Sequence, residues 1–429
     1  MTRLRRRRSP RQLAAPLAFV LATLAAGRQA AAQGGYPAKP DSGCTADTTA
    51  GHRRSCPAPA DTHSPQQQPA APKPAIDFSG VIFGNFQYHT EPAASAGANK
   101  DRFTVDRAYL TFRMPAGDRA SIRATADIFA NGTSGYDFRA KYAYLQYDFS
   151  RGAKGTALGR IGILHTAEID HEETFWPRWI SQVGTERNGF FSSADLGVAT
   201  QLTLPNKFGE VYATITNGPG YANAGPDDRF KDYSVRLSLT PLARSSNRVV
   251  RTFTISPWLY NGDSASKFGP GSSLNNVPGA LGTVTQGLER DRYGVLVGFR
   301  DPRLVLAGHW AERRNEIESD SNTVTNPARV TGRQTGQLIS AYTVAKPFAL
   351  LAGDSATLAP LGLVFRYDRF EPDKKLDPYI QYVVAGLTWD LTRRVSLALD
   401  YQETLPRNGQ APTAQNLSKI YFAQFVANF

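Results

Sequence analysis

The chain has 429 residues and carries 49 Lys+Arg against 37 Asp+Glu, a net charge of +12. Seven of those cations, Arg3, Arg5, Arg6, Arg7, Arg8, Arg11 and Arg28, lie in the first 32 residues, and setting them aside leaves a thinly spread +5 that argues against nucleic-acid binding. Beyond residue 32 no stretch approaches the ~18–20 consecutive apolar residues a membrane helix needs, which excludes a multi-helix membrane protein.

The N-terminus reads as an export signal. An Arg-rich stretch over 3–11 precedes the uncharged apolar run LAAPLAFVLATLAA (13–26), and small residues follow, ending Ala30-Ala31-Ala32. That layout predicts a secretory leader over 1–32, cleaved after Ala32. Residues 33–76 are rich in Pro, Ala, Gln and Gly and cannot bury a core, which predicts a flexible periplasmic arm. The arm holds both cysteines, Cys44 and Cys56, which an oxidising compartment would allow to close a small disulfide loop.

From residue 77 to 429 the chain keeps one rhythm. Alternating segments predict strands over 77–88, 102–114, 119–129, 138–149, 156–164, 194–204, 209–216, 230–240, 248–260, 289–300, 303–313, 335–345, 358–368, 378–390, 394–404 and 418–429. In the second, Ala108, Leu110, Phe112 and Met114 oppose Arg107, Tyr109, Thr111 and Arg113. In the eighth, Tyr233, Val235, Leu237 and Leu239 oppose Asp232, Ser234, Arg236 and Ser238. A period of two places the polar set on the face away from the apolar one.

The connections alternate long and short. Loops at 89–101, 130–137 and 165–193 interleave with turns at 115–118, 150–155 and 205–208; only 346–357 is longer than its place predicts. Long loops on one side and tight turns on the other predict an all-β fold, a sixteen-stranded antiparallel transmembrane β-barrel, with both termini on the short-turn side. A soluble two-sheet sandwich is the competing reading. In the last strand Tyr421, Ala423, Phe425, Ala427 and the terminal Phe429 share a face. A terminal aromatic closing an alternating strand resembles the label by which barrel-assembly machinery takes up its clients.

Residues 77–429 carry a family resemblance, strongest in the C-terminal third. Leu363-Val364-Phe365-Arg366-Tyr367-Asp368 is similar to the E-L-V-x-R-Y strand of the phosphate-selective porins O and P, and Gly386-Leu387-Thr388-Trp389 to their G-x-N-W strand. Lys231 through Arg236 to Pro241 resembles their K-x-x-x-x-R-x-x-x-x-P pattern. Ala194-Asp195-Leu196-Gly197 resembles R-D-x-G, with Ala in place of Arg. The resemblance implies a homotrimeric sixteen-stranded channel among the lipids of the bacterial outer membrane, admitting small hydrophilic solutes and anions of the phosphate type.

A barrel of this size encloses a wet lumen unless a loop narrows it. The longest connection, 165–193, follows the fifth strand and is expected to fold inward as a constriction loop, its Phe175-Trp176-Pro177-Arg178-Trp179 wedged against the wall. Strand parity points Arg107, Arg113, Arg123, Arg160, Arg236 and Arg366 into the lumen, where guanidinium forks suit phosphate-like oxygens. The loop opposes them. Its Glu168, Asp170, Glu172, Glu173 and Glu186 against Arg178 and Arg187 give a formal −3, a balance that would moderate anion preference or reverse it to a general or cation-preferring pore. These acids match no calcium-loop spacing, so neither a metal site nor any cofactor is expected.

Enzyme motifs fail on spacing. His171-Glu172-Glu173-Thr174-Phe175 begins like H-E-x-x-H but has Phe at the fifth position, and Gly152-Ala153-Lys154-Gly155-Thr156 lacks the register of a phosphate loop. No G-x-S-x-G elbow occurs. The chain is expected to be no enzyme; an outer-membrane barrel hydrolase is the rival of another class, and a Ser-His pair would be its sign.

Overall fold

A computed structural model describes residues 76–91, 101–131, 135–152, 155–222, 230–264, 288–318, 330–411, 413 and 417–429. The predicted leader, and the arm up to residue 75 with Cys44 and Cys56, lie outside the described residues.

Sixteen strands follow in chain order: β1 Asp77–Glu91, β2 Asp101–Pro115, β3 Ala120–Asn131, β4 Gly135–Ser150, β5 Ala157–His165, β6 Ala194–Thr203, β7 Gly209–Thr216, β8 Asp232–Leu239, β9 Thr254–Ser264, β10 Leu288–Asp301, β11 Leu304–Glu318, β12 Val330–Ala345, β13 Leu361–Glu371, β14 Tyr379–Asp390, β15 Val395–Arg407 and β16 Ser418–Asn428. Each runs antiparallel to its sequence neighbours, and β1 pairs with β16 to close the barrel. All sixteen correspond in order to the segments read from the alternation. Among the described residues three short helices sit in connections: α1 Ile169–Glu172, α2 Gly184–Arg187 and α3 Pro347–Ala352.

Several strands run longer than expected, among them β11 to Glu318 and β12 from Val330, and other boundaries shift as well. Residues 248–253 are not strand: Asn247 Oδ1 accepts the N–H groups of Val249 and Val250, both at 3.0 Å, and starts a 3-10 turn over Val250–Thr252. Residues 358–360 fall in turns after α3, so β13 begins at Leu361. The expected loop at 130–137 shrinks because β3 and β4 run on to Asn131 and from Gly135.

The outward face is apolar. Ile161, Leu259, Leu387 and Leu399 are all exposed, as a lipid-facing band requires. Exposed aromatics flank this band on both sides. Phe78, Phe112, Tyr147, Trp389 and Phe429 lie near the short turns, and Tyr88, Phe103, Tyr136 and Phe138 near the opposite ends. Such girdles mark where a barrel passes from hydrocarbon to headgroups.

The seam is finished by the terminal residue. Gly80 N–H donates to Phe429 O at 2.9 Å, and Phe429 N–H donates back to Gly80 O at 3.0 Å. The Phe429 ring covers Gly80 so closely that a Cβ there would lie 2.3 Å from it, and Phe425 covers Gly84 in the same way. Glycine leaves backbone for a neighbouring aromatic to cover.

Deleting Phe429 removes both backbone bonds and the ring over Gly80. We expect a barrel that still folds in detergent but unfolds at lower temperature, by about 1–3 kcal/mol for two lost bonds and their apolar cover. Heat-dependent mobility on gels checks this; an unchanged transition would show the seam indifferent to its last residue.

Candidate functional site

The site is built from segment 166–193 and the barrel wall that surrounds it. Its stems are tightly set. Gly162 on β5 pairs with Gly197 on β6, and a Cβ on either would lie 2.1 Å from a neighbouring carbonyl oxygen, of Ala143 and Ile215 respectively. Gly162 also has φ +129°, a region closed to most side chains. Tyr212 Oη donates to His165 O at 2.9 Å, and Thr166 Oγ1 to Ser192 O at 2.6 Å, tying the two stems together.

From there the segment packs against inward side chains of β9 to β15. Ile169, Phe175, Trp176, Ile180, Val183, Phe190 and Phe191 are buried in one cluster with Trp258, Leu296, Leu338, Tyr342, Val364 and Tyr382. The inward face of these strands is therefore partly apolar, against the simple polar-inside expectation. Trp179 reaches further and packs also against the cluster of Phe83, Tyr109 and Val426 on β1, β2 and β16.

Polar wall groups seize the segment's backbone carbonyls. Arg366 Nη1 donates to Gln182 O at 2.6 Å, Arg313 Nη1 to Asn188 O at 2.7 Å, and Gln402 and Gln424 both donate to Ile180 O, at 2.9 and 3.2 Å. Arg236 donates to Ala167 O and Arg292 to Phe190 O. These carbonyls lie outside regular ladders, so each donor answers an acceptor that burial would otherwise strand. Arg187 Nη2 donates to Thr404 Oγ1 at 2.7 Å with its guanidinium 3.8 Å over the Tyr382 ring, and His171 Nε2 lies 2.8 Å from Ser256 Oγ.

The six expected wall arginines separate into two groups. Arg236 is buried and bonded to Glu210, and Arg366, fully buried, pairs with Asp368 at 2.6 Å. Arg107 pairs with Asp127 at 2.7 Å, and Arg113 lies 3.8 Å from Asp77 beside the short turns. Arg123 and Arg160 have no carboxylate partner among the described residues. Arg123 contacts Thr125 and His165 and lies over Tyr142; Arg160 donates to Gln146 and Gln201 and lies over Tyr144.

The acids of the segment do not form the open −3 patch that charge counting gives. Glu168 and Glu172 are wholly buried against the wall. Glu172 accepts the Gly184 N–H at 3.0 Å and the N–H and hydroxyl of Thr185. At the more exposed edge Arg178 binds Glu173 at 2.6 Å and Glu186 at 3.0 Å, while half-exposed Asp170 meets His165 Nδ1 at 2.8 Å.

Burial sets the titration of these groups. It raises Glu168 to about 8, with the Glu172 carboxylate adding to the rise and His309 and Arg236 opposing it. Burial also works against charge on Glu172, but His309 and the Thr185 hydroxyl outweigh it and hold that carboxyl below its usual range. Burial raises Glu173 despite Arg178. For Arg178 the desolvation that would lower it is overcome by Glu186 and Glu173, and it stays well above its ordinary value.

Besides Arg292 and Arg313, the wall cations Arg139 and Lys141 escaped sequence reasoning. Lys141 donates to Tyr109 Oη at 3.1 Å, and Arg139 shares Asp127 with Arg107. Lys141 stands in a β-bulge, where Thr125 pairs with Tyr142 and Ala126 with Ala140, so period-two counting misassigns its face. His309 was missed because nothing in its own strand marks it; its partners Glu168 and Glu172 lie some 140 residues upstream.

No protein-family model matches this sequence, and no curated protein matches it either. Solved structures share the fold. An anion-selective porin from Comamonas acidovorans superposes with a TM-score of 0.54 at 11% identity, over 83% of this chain and 100% of that one. A loop L8 deletion mutant of OmpT, an outer membrane protein of Vibrio cholerae, gives 0.53 at 9% identity, over 83% and 99% of the two chains. Salmonella typhi OmpF in complex with daunomycin gives 0.51 at 12%, over 82% and 97%. At these identities the likeness establishes the closed barrel shared with porins and nothing finer.

Trp176 is the central anchor of the segment: its ring faces Tyr342 at 5.9 Å and lies under Arg366 at 5.3 Å. Trp176→Ala should cost about 3–5 kcal/mol of seating energy. The expected result is rapid protease cleavage within 166–193 on an otherwise closed barrel. A segment as resistant as in wild type would show that the aromatic contact does not hold it.

Proposed function

We propose that this chain is a bacterial outer-membrane porin, a water-filled channel through which small hydrophilic solutes diffuse passively, with a weak preference for anions. Segment 166–193 acts as its constriction loop, and the solute path runs between that loop's edge and the β2–β5 wall. One observation carries the sign of the preference. Of the loop's acids, Glu168 and Glu172 are buried, Glu173 and Glu186 share Arg178, and Asp170 lies against His165, whereas Arg123 and Arg160 on the wall have no carboxylate within ion-pair distance among the described residues. At an effective dielectric of ~20, unit charges ~4 Å apart interact by roughly 4 kcal/mol, so a matched acid cancels one wall cation and an unmatched cation keeps its field.

The likeness to an anion-selective porin supports this reading, as does the resemblance to the phosphate-selective porins O and P. Four of the six arginines are bound to carboxylates, which favours weak selection over a dedicated phosphate path. A homotrimer is part of the proposal; a form of Vibrio cholerae OmpT has been solved as a trimer. Export and delivery to the barrel-assembly machinery belong to it as well, through the leader and the terminal Phe429. We read the chain as non-enzymatic. Among the described residues His171 meets Ser256 in a Ser-His contact that is buried on both sides and ties the loop to the wall.

Reversal potentials of single channels in a potassium chloride gradient test the proposal. Wild type should favour chloride modestly. Arg160→Ala should lower the anion-to-cation permeability ratio by about two- to fivefold, the ~0.4–1 kcal/mol carried by one solvent-screened charge. Arg393→Ala, in the exposed turn between β14 and β15, should leave it unchanged. A wild-type channel that prefers potassium would mean the loop acids govern the pore and would overturn the anion reading.

A further inference from the structure

The buried acids of segment 166–193 suggest a second role that does not depend on the channel reading. Glu168 and Glu172 stand four residues apart across α1, on one face, both with no exposure to solvent. His309 lies between them. Its Nε2 is 3.7 Å from Glu168 Oε1, its Nδ1 is 3.3 Å from Glu172 Oε1, and ligand atoms from all three residues fall within 4.8 Å of one another.

The arginines nearest the two carboxylates are bonded to other acids. Arg236 is bonded to Glu210, and Arg366 to Asp368. Trp258 Nε1–H donates to His309 Nε2 at 3.1 Å. Indole nitrogen is a donor only, so Nε2 keeps its lone pair and the imidazole proton sits on Nδ1, facing Glu172. In that tautomer His309 turns its Nδ1–H toward Glu172 and orients that carboxylate.

Unused lone pairs converge on the same place. Both oxygens of Glu168 and the Oγ of Ser340 are buried without a hydrogen-bond partner, as is the hydroxyl of Tyr342 two residues along β12. Ser340 belongs to the same pocket: a Cβ on Gly184 would lie 2.9 Å from Ser340 Oγ and 3.3 Å from Glu172 Oε1. A proton on Glu168 would remove its charge but create an O–H with no acceptor in place. A cation would use the free lone pairs of Glu168, Glu172 and Ser340 together.

We propose that Glu168 and Glu172, joined by Ser340 and oriented by His309, form a buried site for one divalent cation of the hard, oxygen-preferring class, which pins segment 166–193 to the barrel wall. Calcium and manganese fit the oxygen donors; with Nε2 engaged by Trp258, the site lacks the free imidazole that would favour zinc.

The test uses the full chain, refolded in detergent without lipopolysaccharide and stripped with EDTA. Calcium or manganese should raise the melting temperature by several degrees, saturably, and elemental analysis should return about one equivalent per chain. Glu168→Gln should abolish both responses, and Ser340→Ala should weaken them. Should Glu168→Gln fail to form a barrel, the wild-type and Ser340→Ala responses decide. No bound metal and no shift in wild type overturns the proposal. So does a carboxylic-acid infrared band in wild type that vanishes in Glu168→Gln, since the site would then hold a proton. Preferential zinc binding lost in His309→Gln overturns the oxygen-ligand assignment.

Discussion

A strand that crosses hydrocarbon must hand every backbone N–H and C=O to a neighbour, because no water is there to take them. Sixteen strands meet that demand only when the first and last find one another. The β1–β16 pairing, running from Val81 against Asn428 to Glu91 against Lys419, is thus the contact on which the rest of the molecule depends. Glycine and aromatic residues share the work along it: Gly80 and Gly84 lie bare, and Phe429 and Phe425 cover them. The closed wall then fixes two environments, one toward lipid and one toward its interior.

That interior is not uniform. Along β9 to β15 it behaves as half of a protein core, with segment 166–193 supplying the other half. Along β2 to β5 it is lined by Arg107, Arg123, Lys141 and Arg160, each over an aromatic ring. The arginines consequently divide their labour. Under the segment Arg236 and Arg366 give N–H groups to its carbonyls and charge to Glu210 and Asp368, and Arg292 and Arg313 give N–H groups alone; on the other wall Arg107 is paired with Asp127, and Arg123 and Arg160 have no carboxylate within ion-pair distance among the described residues. Formal counts over a loop or a strand miss this division, because burial and pairing decide which charges a passing ion meets.

Much of the wall was legible in the sequence. In β8 the outward Tyr233, Val235, Leu237 and Leu239 alternate cleanly with the inward Asp232, Ser234, Arg236 and Ser238, and both faces were read correctly. In β10 the run Gly294-Val295-Leu296-Val297-Gly298 has no such contrast, because Leu296 is buried beneath the segment while its neighbours face outward. Bulges defeat parity locally, as at Lys141 and at the β1–β2 register shift beside Asp106. The fate of Glu168 and Glu172 could not be read at all. Four-residue spacing puts them on one face of α1 but does not say whether water or Ser340 lies opposite.

The distance along the chain between the segment and its clasps carries a kinetic meaning. Ile180 O is held by Gln402 and Gln424, which follow it by 222 and 244 residues. Contacts of such long sequence separation form late, since the entropy of closing so large a loop must be met before they return any energy. Gln424 stands on β16, which completes the seam, and Gln402 on its neighbour β15. Seating the segment therefore waits on the same late strands as sealing the cylinder, and a nascent barrel still open at β1 and β16 is also one whose segment 166–193 has not yet met its last clasps.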